Sequence, residues 1–357
     1  MKKLLIMSLI DIGLILSGCG GKSQSDKSDS SAEKSGLTLN GIEETNPRTI
    51  EIDFGKALPI SKNLVSVNNI SFDESCDDII GMPHHIVVSG DTIFAIDPVK
   101  SPGLYAYHKD GSQIFAYCSE GGGPEDISSP MNLMVRDNDI VVFDFASKKL
   151  LYFSKQGKFI KSVSVPIDAL SATLDPSQGI WVDYSNQEYD DIKLSWIKDS
   201  ISPQQKILEV PEYLKGKTVL PIATLLNIPD NGLRYYPALE TKIYGISEGV
   251  AKVIYELDFK GKWPTEEEFI ANYSGNDWAP KMRNFPIRTG GFAENSHWLV
   301  LGYTYKQNCY IVVYDKLRNE TSIFEDSEDK YYNPLYVDGS DLYILCQDGN
   351  LDILKLE

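Results

Sequence analysis

At 357 residues, with a hydrophobic fraction of 42% and a charged fraction of 24%, the chain has the composition of a folded globular protein. That excludes wholesale disorder and a multi-span membrane protein. A formal net charge of −17 repels phosphate backbones and anionic lipid surfaces, which excludes nucleic acid as a partner and leaves membrane attachment to a covalent lipid.

The N-terminus carries the most specific signal. Lys2-Lys3 gives a short positive segment, Leu4 to Leu16 an apolar segment of 13 residues, and Leu16-Ser17-Gly18-Cys19 a small-residue cleavage site ending in cysteine. A membrane-spanning helix needs roughly 20 residues, so this segment is too short to be one. The pattern resembles a bacterial lipoprotein signal peptide with a lipobox, despite Asp11 inside its apolar part, and implies that Cys19 is acylated and becomes the mature N-terminus. Removal of residues 1–18 takes away Lys2, Lys3 and Asp11 and leaves a charge of −18. Gly20 stands after Cys19 where some bacteria use Asp to retain lipoproteins at the inner membrane, which favours the outer membrane.

Residues 20–36 hold six serines, mixed charges and no large apolar side chain, the composition of a flexible tether. Three segments follow: a signal peptide over 1–18, a lipidated tether over 19–47, and a β domain over 48–357. Thr49 to Phe54 alternates polar and apolar residues and reads as a first strand, of the kind that completes the last blade of a closed ring.

From Ile86 the strands recur in fours. Ile86-Val88, Thr92-Asp97, Leu104-His108 and Gln113-Tyr117 form one unit, and Leu133-Val135, Asp139-Asp144, Leu150-Phe153 and Phe159-Val165 the next. Asp97 and Asp144 are 47 residues apart, Gly111 and Gly157 46, which is the spacing of an internal repeat. Weaker copies follow at Gly179-Ile197, Ile243-Asp258, His297-Asp315 and Leu335-Lys355. Short strands in fours without helical periodicity predict an all-β, six-bladed β-propeller with four-stranded antiparallel blades, about 52 residues each including insertions. One helix is expected over Thr265 to Asn272, with Glu266, Glu267 and Glu268 in its first turn.

The lipobox, the Gly121-Gly122-Gly123-Pro124-Glu125 turn, the strand-Asp and strand-Gly hairpins, and Ile243-Tyr244 with Ile254-Tyr255-Glu256-Leu257-Asp258-Phe259-Lys260-Gly261 resemble the TolB-like six-bladed β-propeller lipoproteins of Bacteroidetes. The resemblance covers about residues 48–357 and implies a propeller on a lipid tether; it brings no catalytic residues with it.

Candidate chemistry is sparse. The Gly121–Asp126 turn lacks the Lys-Ser/Thr of a phosphate-binding loop, and its glycines fit a turn between blades. His84 and His85 are the most metal-like residues, although neighbours on an extended chain point to opposite faces. Asp97, Asp144, Asp183, Asn227 and Asp315 offer oxygen ligands for calcium or another divalent cation, but Asp after a strand also closes a turn through its side chain. Trp263 and Trp278, in connectors, are candidates for contact with a peptide or glycan. Cys76, Cys118, Cys309 and Cys346 show no metal or redox spacing and read as free thiols. No complete catalytic set emerges and no cofactor is required. The expectation is a monomeric, non-enzymatic module that binds an envelope protein, peptide or glycan; the alternative is a metal-assisted hydrolase or lyase of the lactonase type, with its site in the central channel.

Overall fold

The computed structural model describes residues 46–72, 78–118, 121, 123–175, 179–186, 192–198, 205–216, 224–228, 232–247, 250–272 and 281–357. The signal peptide, Cys19, the tether, Cys76 and Trp278 lie outside the described residues.

The chain is a six-bladed β-propeller of four- and five-stranded blades. From the channel outward, blade 1 is His85–Ser89, Thr92–Asp97, Gly103–His108 and Gln113–Tyr117. Blade 2 is Pro130–Val135, Asp139–Asp144, Lys149–Ser154 and Phe159–Ser164. Blade 3 is Ser171–Leu174, Ile180–Asp183, Ile192–Ile197 and Gln205–Glu209. Blade 4 is Leu225–Ile228, Gly232–Tyr235, Lys242–Ser247 and Val250–Asp258. Blade 5 is Ile287–Glu294, Trp298–Tyr305, Asn308–Asp315 and Glu320–Asp326. Blade 6 takes three strands from the C-terminus, Tyr331–Asp338, Asp341–Cys346 and Leu351–Lys355, and its outermost strand, Val65–Ile70, from the other end of the chain.

Both faces of a blade are covered by its neighbours. Its central strands are therefore continuous apolar runs, such as the buried Ile140-Val141-Val142-Phe143, rather than half-polar alternations. The apolar side chains sort into one cluster for each junction between adjacent blades, including the junction of blade 6 with blade 1 that closes the ring.

The ring closes differently from the sequence expectation. Thr49 to Phe54 does not complete the last blade; Val65–Ile70 does. Arg48–Glu51 instead adds a parallel fifth strand to the outer edge of blade 4, with Ile50 opposite Leu257, and Leu58–Pro59 does the same on blade 5. The alternation was real but its destination differs: Ile50, Ile52 and Phe54 are buried in the core between blades 4 and 5. The N-terminal chain thus runs as a belt along the outer edges of blades 4, 5 and 6.

The expected helix forms over Glu266–Asn272. Thr265 Oγ1 accepts the Glu268 amide at 3.2 Å while the Glu268 carboxylate accepts the Thr265 amide at 2.9 Å, a reciprocal cap at the N-terminus. Phe269 pins the helix onto Val210, Leu214 and Met282, a small satellite core joining the connectors at 210–224 and 259–286.

Gly111 and Gly157, the second repeat landmark, sit at φ of +92° and +75°, so their recurrence reflects a left-handed turn between the third and fourth strands of blades 1 and 2. The Asp landmark is a staple. Asp97 accepts the amides of Gly81 and Met82 on one oxygen and those of Val99 and Lys100 on the other, at 2.7–3.0 Å. Asp144 repeats this with Ser128, Ser129 and Ser147 at 2.7–2.8 Å. Each carboxylate ties the connector before its blade to the turn after its second strand. Asp144→Ala leaves three part-buried amides without their acceptor and is expected to cost about 2–3 kcal/mol, measured by urea unfolding, with Asp144→Asn intermediate because its amide keeps one acceptor oxygen.

Candidate functional site

Every innermost strand begins on the same face of the ring, and the longest connectors, 210–224 and 259–286, join strand ends on that face. The opposite face has short turns such as 90–91 and 339–340. The two ends of the channel therefore differ in the length of the segments that cover them.

Side chains link the inner strands of blades 1 to 4. His85 Nδ1 accepts the Leu133 amide of blade 2 at 3.2 Å, which fixes the neutral tautomer protonated on Nε2. Asn132 Nδ2, from blade 2, donates to Leu225 O of blade 4 at 3.1 Å and lies 3.5 Å from Ser171 Oγ of blade 3. Asn227 of blade 4 reaches back, donating to Leu174 O at 3.2 Å with the Met134 sulfur at 3.6 Å. These contacts knit the inner strands of blades 1 to 4 together.

His84 and His85 are both held neutral. Burial lowers His85 to about 3, reinforced by its neighbour His84, and lowers His84 to about 4 against the opposing pull of Asp97. The two rings do not share a site: Ile86 and Val88, with the parity of His84, pack at the junction with blade 6, whereas His85 bonds to blade 2. His84 Nε2 is shielded from solvent and has no hydrogen-bond partner among the described residues.

The oxygens proposed from sequence as cation ligands have other employment. Asp97 and Asp144 are saturated by backbone amides, and Asp315 accepts Leu317 and Arg318 amides on one oxygen. Among the described residues no group of three or more His, Cys, Asp or Glu side chains is placed to hold a metal ion. Trp263 is half-buried, its ring stacked on Phe259 at 5.2 Å and packed against the core between blades 4 and 5. The Gly121–Asp126 turn is filled by its own Asp126 carboxylate, which a Cβ on Gly121 would meet at 2.6 Å. Among the described residues Cys118, Cys309 and Cys346 are free thiols. Cys309 lines a cavity of about 10 Å³ between blades 5 and 6, room for a single water, and burial pushes its thiol up to about 11.

A cluster that the sequence did not reveal lies where blades 3, 4 and 5 meet the connector face. Asp183 is fully buried, and its carboxylate accepts the Tyr235 hydroxyl and Ser185 amide on one oxygen and the Thr224 hydroxyl on the other. Burial raises its pKa despite those donors. Arg288, from the inner strand of blade 5, lies over the Tyr236 ring at 4.3 Å, within the fields of Asp183, Tyr235 and Tyr303. The Tyr236 and Tyr303 hydroxyls meet at 2.6 Å and buttress that stack. The strand carries a bulge between Arg288 and Phe292, where Gly291 approaches Asn333 so closely that a Cβ would sit 2.4 Å from its Oδ1. Thr289-Gly290-Gly291 inside a strand was the available sequence signal.

Residues 43–349 match a family described as a 6-bladed beta-propeller, DUF5128. The chain belongs to the DUF5128 family. Among solved structures, a Bacteroides fragilis NCTC 9343 protein described as exported is 13% identical to this DUF5128 chain, with a TM-score of 0.69 over 86% of this chain and 98% of its own. A duf4221 family member from Bacteroides vulgatus ATCC 8482 is 13% identical, with a TM-score of 0.53 over 82% of this chain and 97% of its own. Virginiamycin B lyase from Staphylococcus aureus is 15% identical, with a TM-score of 0.47 over 82% and 99%. At these identities the likeness shows the fold alone, and the lyase's activity does not transfer to this DUF5128 propeller. No curated protein matches the chain. Among the described residues no helix is long and apolar enough to cross a membrane.

Proposed function

We propose that this propeller is a non-enzymatic, monomeric binding module, held at the outer membrane by a lipid on Cys19, whose connector face takes an envelope protein, peptide or glycan. The observation that carries this reading is the asymmetry of the ring: the long connectors join strand ends on one face, where their described parts form a satellite core, and short turns join strands on the other. The TolB-like resemblance and the lipobox support the envelope location. The module needs no cofactor. The metal-assisted hydrolase or lyase reading finds little support in Asp97 and Asp144, whose oxygens are occupied by backbone amides.

Cross-linking in intact envelopes is expected to recover a specific partner, lost when the connectors at 210–224 and 259–286 are shortened. A purified chain that hydrolyses lactones or cleaves esters with turnover, and cross-links to nothing, overturns the reading. Separately, Cys19→Ser is expected to move the protein from the membrane fraction to the soluble fraction in a detergent-free fractionation, because a single weak contact does not replace multiple acyl chains.

A further inference from the structure

The outer strand of blade 2 repeats a device that blade 4 uses, with no strand over it among the described residues. In blade 4 the pairing of Lys242–Ser247 with Val250–Asp258 shifts register between Ile243 and Tyr244, and Ile254 is the extra residue of the bulge. Directly after it, Tyr255 to Asp258 take the belt strand Arg48–Glu51 in parallel, and Ile254 packs against the core that Ile50 and Ile52 help to form. Glu51 of the belt then meets Lys260 at 2.8 Å. In blade 2 the pairing of Lys149–Ser154 with Phe159–Ser164 shifts between Tyr152 and Phe153, and the extra residue is Ile160. This strand is the outermost of its sheet, and Ile160 is 54% exposed. Ile114 is the bulge residue at the same place in blade 1 and is 42% exposed, so the feature belongs to the repeat.

The edge of blade 2 keeps its hydrogen-bonding groups. The Val165 amide donates inward to Lys148 O at 3.0 Å; Val163 and Lys161 share that parity, which turns the amides of Ser162 and Ser164 outward. Charge sets the edge apart as well. From Phe145 to Ile167 there are five lysines and no carboxylate, in a chain whose net charge is −17. Lys158 and Lys161 are exposed beside Ile160, with Lys161 over the Tyr152 ring at 4.6 Å. The nearby Asp137 and Asp139 act on Lys155, and Asp139 is also held by Arg136. The outer strands of blades 3, 4 and 5, Gln205–Glu209, Val250–Asp258 and Glu320–Asp326, all carry carboxylates.

We propose that the outer edge of blade 2 is a docking site for an extended, acidic segment of a partner polypeptide, which adds as a fifth strand in the way the belt adds to blade 4. A bulge and lysines keep an edge from pairing indiscriminately, and a half-exposed isoleucine at the bulge gives the right strand an apolar contact. Aliphatic side chains at alternate positions of the segment pack on Ile160, and carboxylates between them meet Lys158 and Lys161. The belt itself has this pattern, in Thr49-Ile50-Glu51-Ile52-Asp53-Phe54. The site lies on the rim, apart from the connector face.

The test titrates the mature chain, in a non-ionic detergent, with a fluorescent peptide of the belt sequence, acetyl-Thr-Ile-Glu-Ile-Asp-Phe-amide, and follows amide hydrogen exchange at Ser162 and Ser164. Saturable binding is expected, with slowed exchange at both amides. Ile160→Gln with Lys161→Gln is expected to weaken binding at least about tenfold, and so is replacing the Glu and Asp of the peptide by Lys. Ser162→Pro removes one outward amide and is expected to weaken binding too; should that variant not fold, a peptide N-methylated along its backbone, unable to donate, is expected to lose binding to the wild-type chain. No saturable binding, equal binding of the Lys-substituted peptide, or binding that Ile160→Gln with Lys161→Gln leaves unchanged overturns the proposal. So does protection of both amides without peptide, either in vesicles of phosphatidylcholine with phosphatidylglycerol or in a dimer of the chain alone, since a lipid surface or a second copy is then the occupant. A chain with shortened connectors at 210–224 and 259–286 is expected to keep the peptide, so failure of the connector-face reading and failure of this site are read separately.

Discussion

Replacing Glu294 by Gln is expected to lower the stability of the propeller by about 3–5 kcal/mol, because it removes the buried carboxylate that two nearly buried cations share. The Glu294 side chain is 0% exposed at the end of the inner strand of blade 5. Arg234, from blade 4, meets its two oxygens at 3.0 and 3.3 Å, Lys316 donates to one of them at 2.6 Å, and Tyr255 to the same one at 3.3 Å. Burial already lowers the Lys316 amine against the pull of Glu294. Arg48 of the N-terminal belt donates to Lys316 O at 3.1 Å, so the network ties blade 4, blade 5 and the belt together at the face opposite the connectors. Urea unfolding of Glu294→Gln measures the cost. A triple variant, Glu294→Met with Arg234→Met and Lys316→Met, removes the charges together and is expected to be less damaging than the single change, since a dry apolar contact replaces the desolvated ions. A single-variant cost under about 1 kcal/mol refutes the argument.

Much of this architecture was legible because a propeller repeats. Asp97 and Asp144, and Gly111 and Gly157, recur because each performs a local backbone task, stapling a connector or entering left-handed conformation, and local tasks leave marks at fixed spacing. The helix over Glu266–Asn272 was legible for the same reason: its cap and first-turn carboxylates are sequence neighbours. What escaped was long-range pairing. Thr49 to Phe54 read as a strand and Val65–Ile70 did not, yet it is Val65–Ile70 that closes the ring, because which segment docks there depends on how far the belt travels around the rim. The Arg288 cluster escaped because its members come from three blades, and because Asp183 is indistinguishable in sequence from Asp97 and Asp144. Its difference exists only in what stands opposite its carboxylate. His84 and His85 drew attention as a pair, but the alternation of an extended strand sends one toward blade 6 and the other into blade 2.

That same pair gives the second large effect, a loss of stability in mild acid. Both imidazoles are depressed in the folded chain, His84 to about 4 and His85 to about 3, against roughly 6.5 in an unfolded chain. Between those values the unfolded chain binds more protons, so stability is fully present above about pH 6.5 and falls as pH drops toward 4 and 3. At pH 5 each histidine costs about 2 kcal/mol, and the two together about 4 kcal/mol. The two are separable by substitution. His84 Nε2 has no hydrogen-bond partner among the described residues, so His84→Met is expected to leave stability at pH 7 within about 1 kcal/mol and to recover about 2 kcal/mol at pH 5. His85 Nδ1 holds the Leu133 amide, so His85→Gln is expected to lose stability at pH 7 by about 1–3 kcal/mol while flattening the acid response by a similar amount. Carboxylates elsewhere contribute equally to all three proteins and cancel in the differences. Urea unfolding at pH 7 and pH 5 reads both effects, and a His84→Met protein that loses as much stability on acidification as its parent contradicts the assignment of a buried, neutral His84.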